Sequence, residues 1–258
     1  MSEHIIYHIA DGIATLTLNR PKVLNAINYD LLKELDELLD QAAADDSLRV
    51  LILTGSGKAF AAGADIAQQA GMDQEEAAKW GQYGSGIFRR LECFPTPTLA
   101  VVNGYALGGG CEMAMACDLI LAGEKAKFGQ PETGLGITPG FSGTQRLLRR
   151  VGVSKAKELI YTGRMIDAQE ALQIGLADHI YPDDQLLAEA LAMAKKIAAN
   201  APVAVRYAKC AINEGAQADI DAAIAIENKW FSKCFATQDQ KEGMQAFLEK
   251  RKATFLNK

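Results

Sequence analysis

The chain is poor in the residues that ordinarily build metal and disulfide sites. Three histidines, His4, His8 and His179, are scattered, and the five cysteines at 93, 111, 117, 210 and 234 form no CxxC pair. That pattern gives neither a disulfide framework nor a zinc site. Cys111 and Cys117 fall in an apolar segment and read as core packing. No run of about eighteen apolar residues is present, which excludes a helical membrane span, and the strand-like Ile5 to Ile9 follows Met1 too soon to leave room for a targeting segment. A soluble protein of the reducing cytoplasm is the expectation. The net charge of −5 leaves no excess of cations for nucleic acid or an anionic membrane.

Two nucleotide motifs are also missing. Gly55-Ser56-Gly57-Lys58 looks like a phosphate loop, but Ile52 stands where its first glycine belongs and Ala59 replaces the Ser or Thr. No GxGxxG turn opens a dinucleotide fold.

What is present is ordinary globular composition, 49% hydrophobic and 23% charged over 258 residues, enough for a sizeable core. Alternation predicts a hairpin, His4 to Ile9 and Ile13 to Leu18 about Asp11-Gly12. An amphipathic helix follows from about Asn28, with leucines 31, 32, 35, 38 and 39 on one face and an acidic opposite face. Arg49 to Thr54 and Leu99 to Val102 read as buried strands, Asp118 to Ala122 and Ala126 to Phe128 as short ones, and Leu176 to Tyr181 as a brief return to strand. Helices are expected over Gln74 to Leu91, Gln145 to Arg150, Ser154 to Tyr161, Ala168 to Ile174 and Asp183 to Ala199, and from Pro202 to the end. The expectation is a mixed α/β body over 1–198, built of ββα units or a parallel sheet, and a helical tail over 199–258.

Two glutamates each sit beside a glycine-rich turn. Glu112 ends Asn103-Gly-Tyr-Ala-Leu-Gly108-Gly109-Gly110-Cys111-Glu112, directly after the apolar Leu99 to Val102; Glu132 ends Phe128-Gly129-Gln130-Pro131-Glu132. A strand, a glycine turn and a helix start aim unpaired N–H groups into a pocket. Either element alone has an ordinary reading. Three glycines can be only a tight turn, Glu112 a first-turn acid favouring the helix dipole, and Glu132 a surface loop carboxylate. Together they place two proton carriers beside donors for a developing oxyanion. A third segment, Lys58-Ala-Phe-Ala-Ala62-Gly63-Ala64-Asp65-Ile66, has small residues about a glycine, so a ligand can lie against its backbone.

The combination resembles the crotonase (enoyl-CoA hydratase/isomerase) superfamily along the whole chain. The resemblance rests on Asn19-Arg20-Pro21 with Asn25-Ala26, Ala61 to Asp65, Asn103-Gly104 with Gly108 to Glu112, and Phe128 to Glu132. It continues in Gly136-Ile-Thr-Pro139-Gly140 with Gly143 to Leu147, and in Phe247-Leu-Glu-Lys250-Arg-Lys252. Because both glutamate positions are filled, the hydratase branch is favoured over a Δ3,Δ2-enoyl-CoA isomerase and over a non-catalytic assembly protein, and the acidic helix Asn28 to Asp46 argues against an RNA-binding relative, which would carry a basic one. The resemblance implies a spiral of ββα units with a C-terminal helical oligomerisation region. It implies an oxyanion hole from the N–H groups of Ala64 and Gly109, and water held by Glu112 and Glu132 with help from the Gly140 backbone. Glu112 would be the base toward water and Glu132 the donor to C2. Backbone at Ala62, Asp65 and Ile66 would hold the adenine, Lys22, Leu24 and Lys58 the nucleotide and pantetheine path, and Phe247 and Lys250 a neighbouring subunit's CoA. It implies an acyl-CoA thioester substrate with no cofactor or metal beyond it, and homotrimers, commonly paired into hexamers. Ser142 stands where many relatives have glycine, and Ala67 where lysine is frequent, which removes one possible phosphate contact. Phe141 would narrow the acyl pocket toward short chains, and Gln68 to Trp80 would line it.

Overall fold

A computed structural model describes residues 4–258. Its strands are β1 (Ile5–Ala10), β2 (Ile13–Leu18), β3 (Val50–Gly55), β4 (Ala59–Ala61), β5 (Thr98–Val102), β6 (Tyr105–Leu107), β7 (Leu119–Gly123), β8 (Lys127–Gly129), β9 (Ile166–Asp167) and β10 (His179–Tyr181). The helices of the body are α1 (Tyr29–Ala43), α2 (Ile66–Gln69), α3 (Gln74–Glu92), α4 (Gly109–Met115), α5 (Gly143–Val151), α6 (Val153–Thr162), α7 (Ala168–Gln173) and α8 (Leu186–Ala198). The tail carries α9 (Pro202–Gly215), α10 (Ile220–Cys234) and α11 (Gln238–Leu248).

The chain winds between two sheets. One has the order β1-β2-β3-β5-β7-β10, the other β4-β6-β8-β9. Each turn lays one strand in each, β3 then β4, β5 then β6, β7 then β8, and then passes into helix. Those neighbours are parallel within each sheet; β1–β2 and β8–β9 are antiparallel. This is the repeating ββα architecture expected from the sequence. The central strands β3 and β5 are buried on both faces, because successive side chains alternate sides and nearly all of theirs are apolar. Leu51, Leu53, Ala100 and Val102 pack inward with Phe60, Ala106 and Phe128 of the small sheet. Val50, Ile52, Leu99 and Val101 face outward, under Leu186, Ala190 and Ala194 of α8.

Local signals held where they were strong. Asp11 and Gly12 both have positive φ, as a two-residue hairpin turn requires. The side chain of Asn28 accepts from Leu31 N at 3.0 Å and starts α1, and an Asp73–Glu76 capping box starts α3. Four expectations need correction. The helical reading from Pro202 to the end stops at Leu248, and beyond it the chain folds back so that Leu256 N and Asn257 N donate to the Asp239 carboxylate. A short strand, β6, separates the Leu99 to Val102 strand from α4, which begins at Gly109, inside the glycine run expected to be a turn. The Leu176 to Tyr181 strand is confined to His179–Tyr181, because Leu176 N and Ala177 N both donate to Ala171 O at the end of α7. The helix expected from Asp183 begins at Leu186, since Gln185 N and Leu186 N turn back onto Pro182 O and Asp183 accepts from Lys125 N.

The tail is tied to the body by polar contacts. Lys209 Nζ on α9 is buried, 2.8 Å from Asp118 Oδ2 and 3.1 Å from Thr96 O. α10 buries none of its residues and exposes Ile220, Ile224 and Phe231. Among the described residues no helix is long and apolar enough to cross a membrane.

Candidate active site

α4 lies wholly buried between the sheets. It reaches that position because Gly110 presses on β4: a Cβ there would lie 1.9 Å from the Ala61 carbonyl oxygen. Gly108, with φ +48°, turns the chain into the helix, and a Cβ on it would stand 2.6 Å from Oε1 of Glu132. The glycines therefore do two jobs, close helix–strand packing and room for a carboxylate.

Glu112 is 1% exposed on this apolar helix. Its Oε1 accepts from Phe141 N at 2.8 Å and Gly143 N at 2.6 Å, in the turn before α5. That turn is braced by Arg146, itself buried, which donates to Phe141 O at 3.1 Å and to Glu92 Oε2 at 3.0 Å. Glu132 opens a 3-10 turn after Pro131 and is also buried. The buried Gln130 amide fits its surroundings with nitrogen toward Glu132, 3.2 Å from each carboxylate oxygen.

Burial, and then the charge of Glu132, push the Glu112 carboxyl up to about 7 against the pull of the two N–H donors. Burial likewise raises Glu132 to about 7. Both carboxyls are thus held well above the usual carboxylate range, so each can carry or release a proton near neutral pH, as an acid–base pair requires.

The two expected oxyanion donors lie side by side. A Cβ on Gly109 would be 3.4 Å from Ala64 N, and among the described residues neither Ala64 N–H nor Gly109 N–H donates a hydrogen bond. Gly109 N is free because it is the first amide of α4. Ala64, Gly108, Gly109, Glu112, Glu132, Gly140 and Phe141 all line one cavity of about 480 Å³. An acid, a base and two preorganised donors thus share one largely apolar pocket, which suits addition or proton transfer next to a carbonyl. Among the described residues no three His, Cys, Asp or Glu side chains could together hold a metal ion.

Comparison with known proteins agrees with this reading. The sequence pattern described as enoyl-CoA hydratase/isomerase matches residues 8–258. The chain belongs to the enoyl-CoA hydratase/isomerase family. Within it, the chain is 53% identical to a short-chain-enoyl-CoA hydratase of Clostridium acetobutylicum, over 96% of each chain. It is 51% identical to a crotonyl-CoA hydratase of Syntrophomonas wolfei, over 99% of each. The crystal structure of an enoyl-CoA hydratase from Bacillus anthracis superposes with a TM-score of 0.96 at 42% identity, covering 99% of this chain and all of that one.

Ala62 and Ile66 line the cavity beside Ala64. Asp65 follows, but its N–H donates to Ile27 O, its C=O accepts from Gln68 N and Gln69 N, and its side chain pairs with Arg20 at 3.4 Å. Lys22, Leu24 and Lys58 are exposed and line none of the described cavities, and their segments are joined by the fully buried Asn25, which donates to Ser56 O at 3.0 Å and Ala59 O at 2.8 Å. Phe247, 83% exposed, and Lys250 line none of the described cavities within one chain.

Roles for Arg146 and Gln130 were not legible in the sequence, whereas Trp80, in the Gln68 to Trp80 segment expected to line the acyl pocket, does line the cavity. An Arg or Gln beside a glycine turn is ordinarily solvated, and nothing local marks one that is buried. Ser142, at the usual glycine position, has φ +79° and caps α5 without a side-chain hydrogen bond. Its Oγ only meets Ser85 Oγ at 3.3 Å. Ser142→Gly is therefore expected to raise stability by about 1 kcal/mol, read as a higher Tm, with crotonyl-CoA turnover little changed.

Proposed function

We infer that the protein is an enoyl-CoA hydratase, adding water across the 2,3-double bond of 2-enoyl-CoA thioesters to give 3-hydroxyacyl-CoA. The observation that carries the roles is the buried glutamate pair, raised to about 7 and facing two unpaired backbone donors. The thioester oxygen accepts from Ala64 N–H and Gly109 N–H, which stabilise the charge that builds there as C3 is attacked; one such donor contributes about 3 kcal/mol. Glu112, as carboxylate, takes a proton from water while the water oxygen bonds to C3, and the Gly140 backbone helps to place that water. Glu132, as carboxylic acid, gives its proton to C2 as the enolate collapses. The pair ends with one proton, as it began, and only its location has changed.

Backbone at Ala62, Asp65 and Ile66 takes the adenine in this reading, with Ala62 and Asp65 contributing carbonyl oxygens because their N–H groups already donate to Leu24 O and Ile27 O. Lys22, Leu24 and Lys58 flank the nucleotide and pantetheine. The exposed Phe247 and Lys250 reach the CoA of a second copy. Residues 199–258 form the oligomerisation region, and the exposed apolar face of α10 supports a homotrimer or a pair of trimers. The enzyme works in the cytoplasm with no cofactor beyond the CoA of its substrate, and prefers short acyl chains.

The test is loss of the conjugated enoyl-thioester ultraviolet absorbance on mixing with crotonyl-CoA, with 3-hydroxybutyryl-CoA as the product. Unchanged crotonyl-CoA together with conversion of a 3-enoyl-CoA to its 2-enoyl isomer would replace this reading by an isomerase.

A further inference from the structure

Trp80 stands between two cavities of about 480 Å³ each. On α3, Ala77 and Gly81 line the catalytic cavity, while Glu76, Lys79 and Tyr83 line the second. Trp80 is the one α3 residue that lines both. That division follows from helical spacing: 77, 80 and 81 share one face, 76, 79, 80 and 83 the adjoining one, and Trp80 falls on the seam. The short helix α2 is split in the same way, with Ile66 and Gln69 on the catalytic side and Gln68 on the other.

The partition is held by packing. The Trp80 ring meets Phe141 edge-on at 5.2 Å and stacks on Tyr29 at 6.4 Å. Phe141 is itself fixed edge-on to Phe88 at 5.4 Å, over Gly84, where a Cβ would come within 2.3 Å of its ring. Among the described residues the buried Trp80 indole N–H has no hydrogen-bond partner. Trimming the ring therefore removes a wall without stranding an acceptor. The space behind it has an apolar lining from Met72, Tyr29 and Tyr83 and a polar rim from Gln68, Glu76 and Lys79, which suits the distal methylenes of a longer acyl chain.

We propose that Trp80 is the specificity-determining residue for acyl-chain length, closing the far end of the catalytic cavity so that only short chains fit, with the second cavity as latent space for longer ones. This rests on the hydratase reading and its short-chain preference.

The experiment compares wild type with Trp80→Ala, Trp80→Leu and Trp80→Phe in two ways. The first is kcat/KM on crotonyl-, octenoyl- and decenoyl-CoA; the second is calorimetric Kd for the unreactive butyryl- and decanoyl-CoA. In Trp80→Ala the decenoyl-to-crotonyl ratio of kcat/KM rises at least about tenfold, and the Kd ratio moves toward decanoyl-CoA by a similar factor. Trp80→Leu is intermediate, and Trp80→Phe keeps the wild-type ratios. Adding Met72→Trp to Trp80→Ala refills the second cavity and draws the ratios back. Should Trp80→Ala not fold, Trp80→Leu decides. Wild-type ratios in the folded Ala or Leu variant overturn the proposal, and so does a wild type that binds decanoyl-CoA as tightly as butyryl-CoA. Failure of the hydratase reading shows separately, as wild type that leaves crotonyl-CoA unchanged, and the Kd ratios still decide the partition.

Discussion

Glu112→Gln and Glu132→Gln should each lower kcat for crotonyl-CoA hydration by about a hundred- to ten-thousand-fold while raising stability at alkaline pH. The loss follows because an amide neither accepts a proton from water nor donates one to carbon, although it fills the same space. The folds should survive. Glu112 holds Phe141 N–H and Gly143 N–H through Oε1, an acceptor that glutamine keeps. The stability gain follows from linkage. Folding raises the Glu132 carboxyl from 4.5 to about 7, so the folded state binds its proton more tightly than the unfolded state. Wild-type stability therefore falls as pH rises from about 4.5 to about 7, and the full cost of ionising a buried carboxyl is present above that window. Glutamine carries no such cost. For Glu132→Gln the gain at about pH 8 is on the order of 3 kcal/mol and vanishes at about pH 4. Glu112→Gln shifts in the same direction. Denaturant unfolding at the two pH values, beside steady-state kinetics, checks both halves. A variant that loses activity and stability together would mean that these carboxylates serve the fold rather than the chemistry.

Gly110→Ala is expected to cost more than its single methyl group suggests. The new Cβ would lie 1.9 Å from the carbonyl oxygen and 2.6 Å from the carbonyl carbon of Ala61. Both are backbone atoms of a strand paired to β6, so no side chain can rotate out of the way. The strand or α4 must move by on the order of an ångström, at about 1–3 kcal/mol of stability. Gly109 directly precedes the substituted residue and Ala64 lies three residues beyond Ala61, so the two N–H donors move relative to one another. Oxyanion stabilisation depends on that placement, and kcat should fall at least about a hundredfold even in protein that remains folded. Gly86→Ala is the matched control. Gly86 is an exposed α3 residue with nothing within 4 Å of an added Cβ. It should gain about 0.5–1 kcal/mol with activity unchanged. Equal effects of the two substitutions, measured by unfolding and crotonyl-CoA kinetics, would remove the close helix–strand approach from the account.

The fold was legible where local and tertiary preferences coincide. Alternating residues in β1 and β2, the leucine stripe of α1 and the capped start of α3 each carry their own signal. Of the small sheet only β8 did, expected over Ala126 to Phe128 and found at Lys127–Gly129. β4, β6 and β9 have two or three residues each, too few to establish a period, and they become strands only because the larger sheet's turns deliver them side by side. That is why Tyr105–Leu107 read as part of a glycine turn. In the site, Glu112 and Glu132 stood out as acids in apolar or glycine-rich company. The tertiary partners did not: Arg146 acquires its place from Phe141 and Glu92, and Gln130 from Glu132, while Trp80 was expected only as part of a pocket-lining segment and gains its place between two cavities from the fold.

The shared proton of the glutamate pair is tested most directly by the pH dependence of kcat/KM for crotonyl-CoA. With both carboxyls raised to about 7 and coupled, the pair passes from two protons to one to none across neutrality, and only the singly protonated pair holds an acid and a base at once. The expected profile is a bell centred near pH 7 that falls on both sides, with Glu132→Gln losing the alkaline limb from its residual activity and Glu112→Gln the acid limb. A rate flat from about pH 5 to about pH 9, in protein that stays folded across that range, would contradict a mechanism in which these two residues trade one proton.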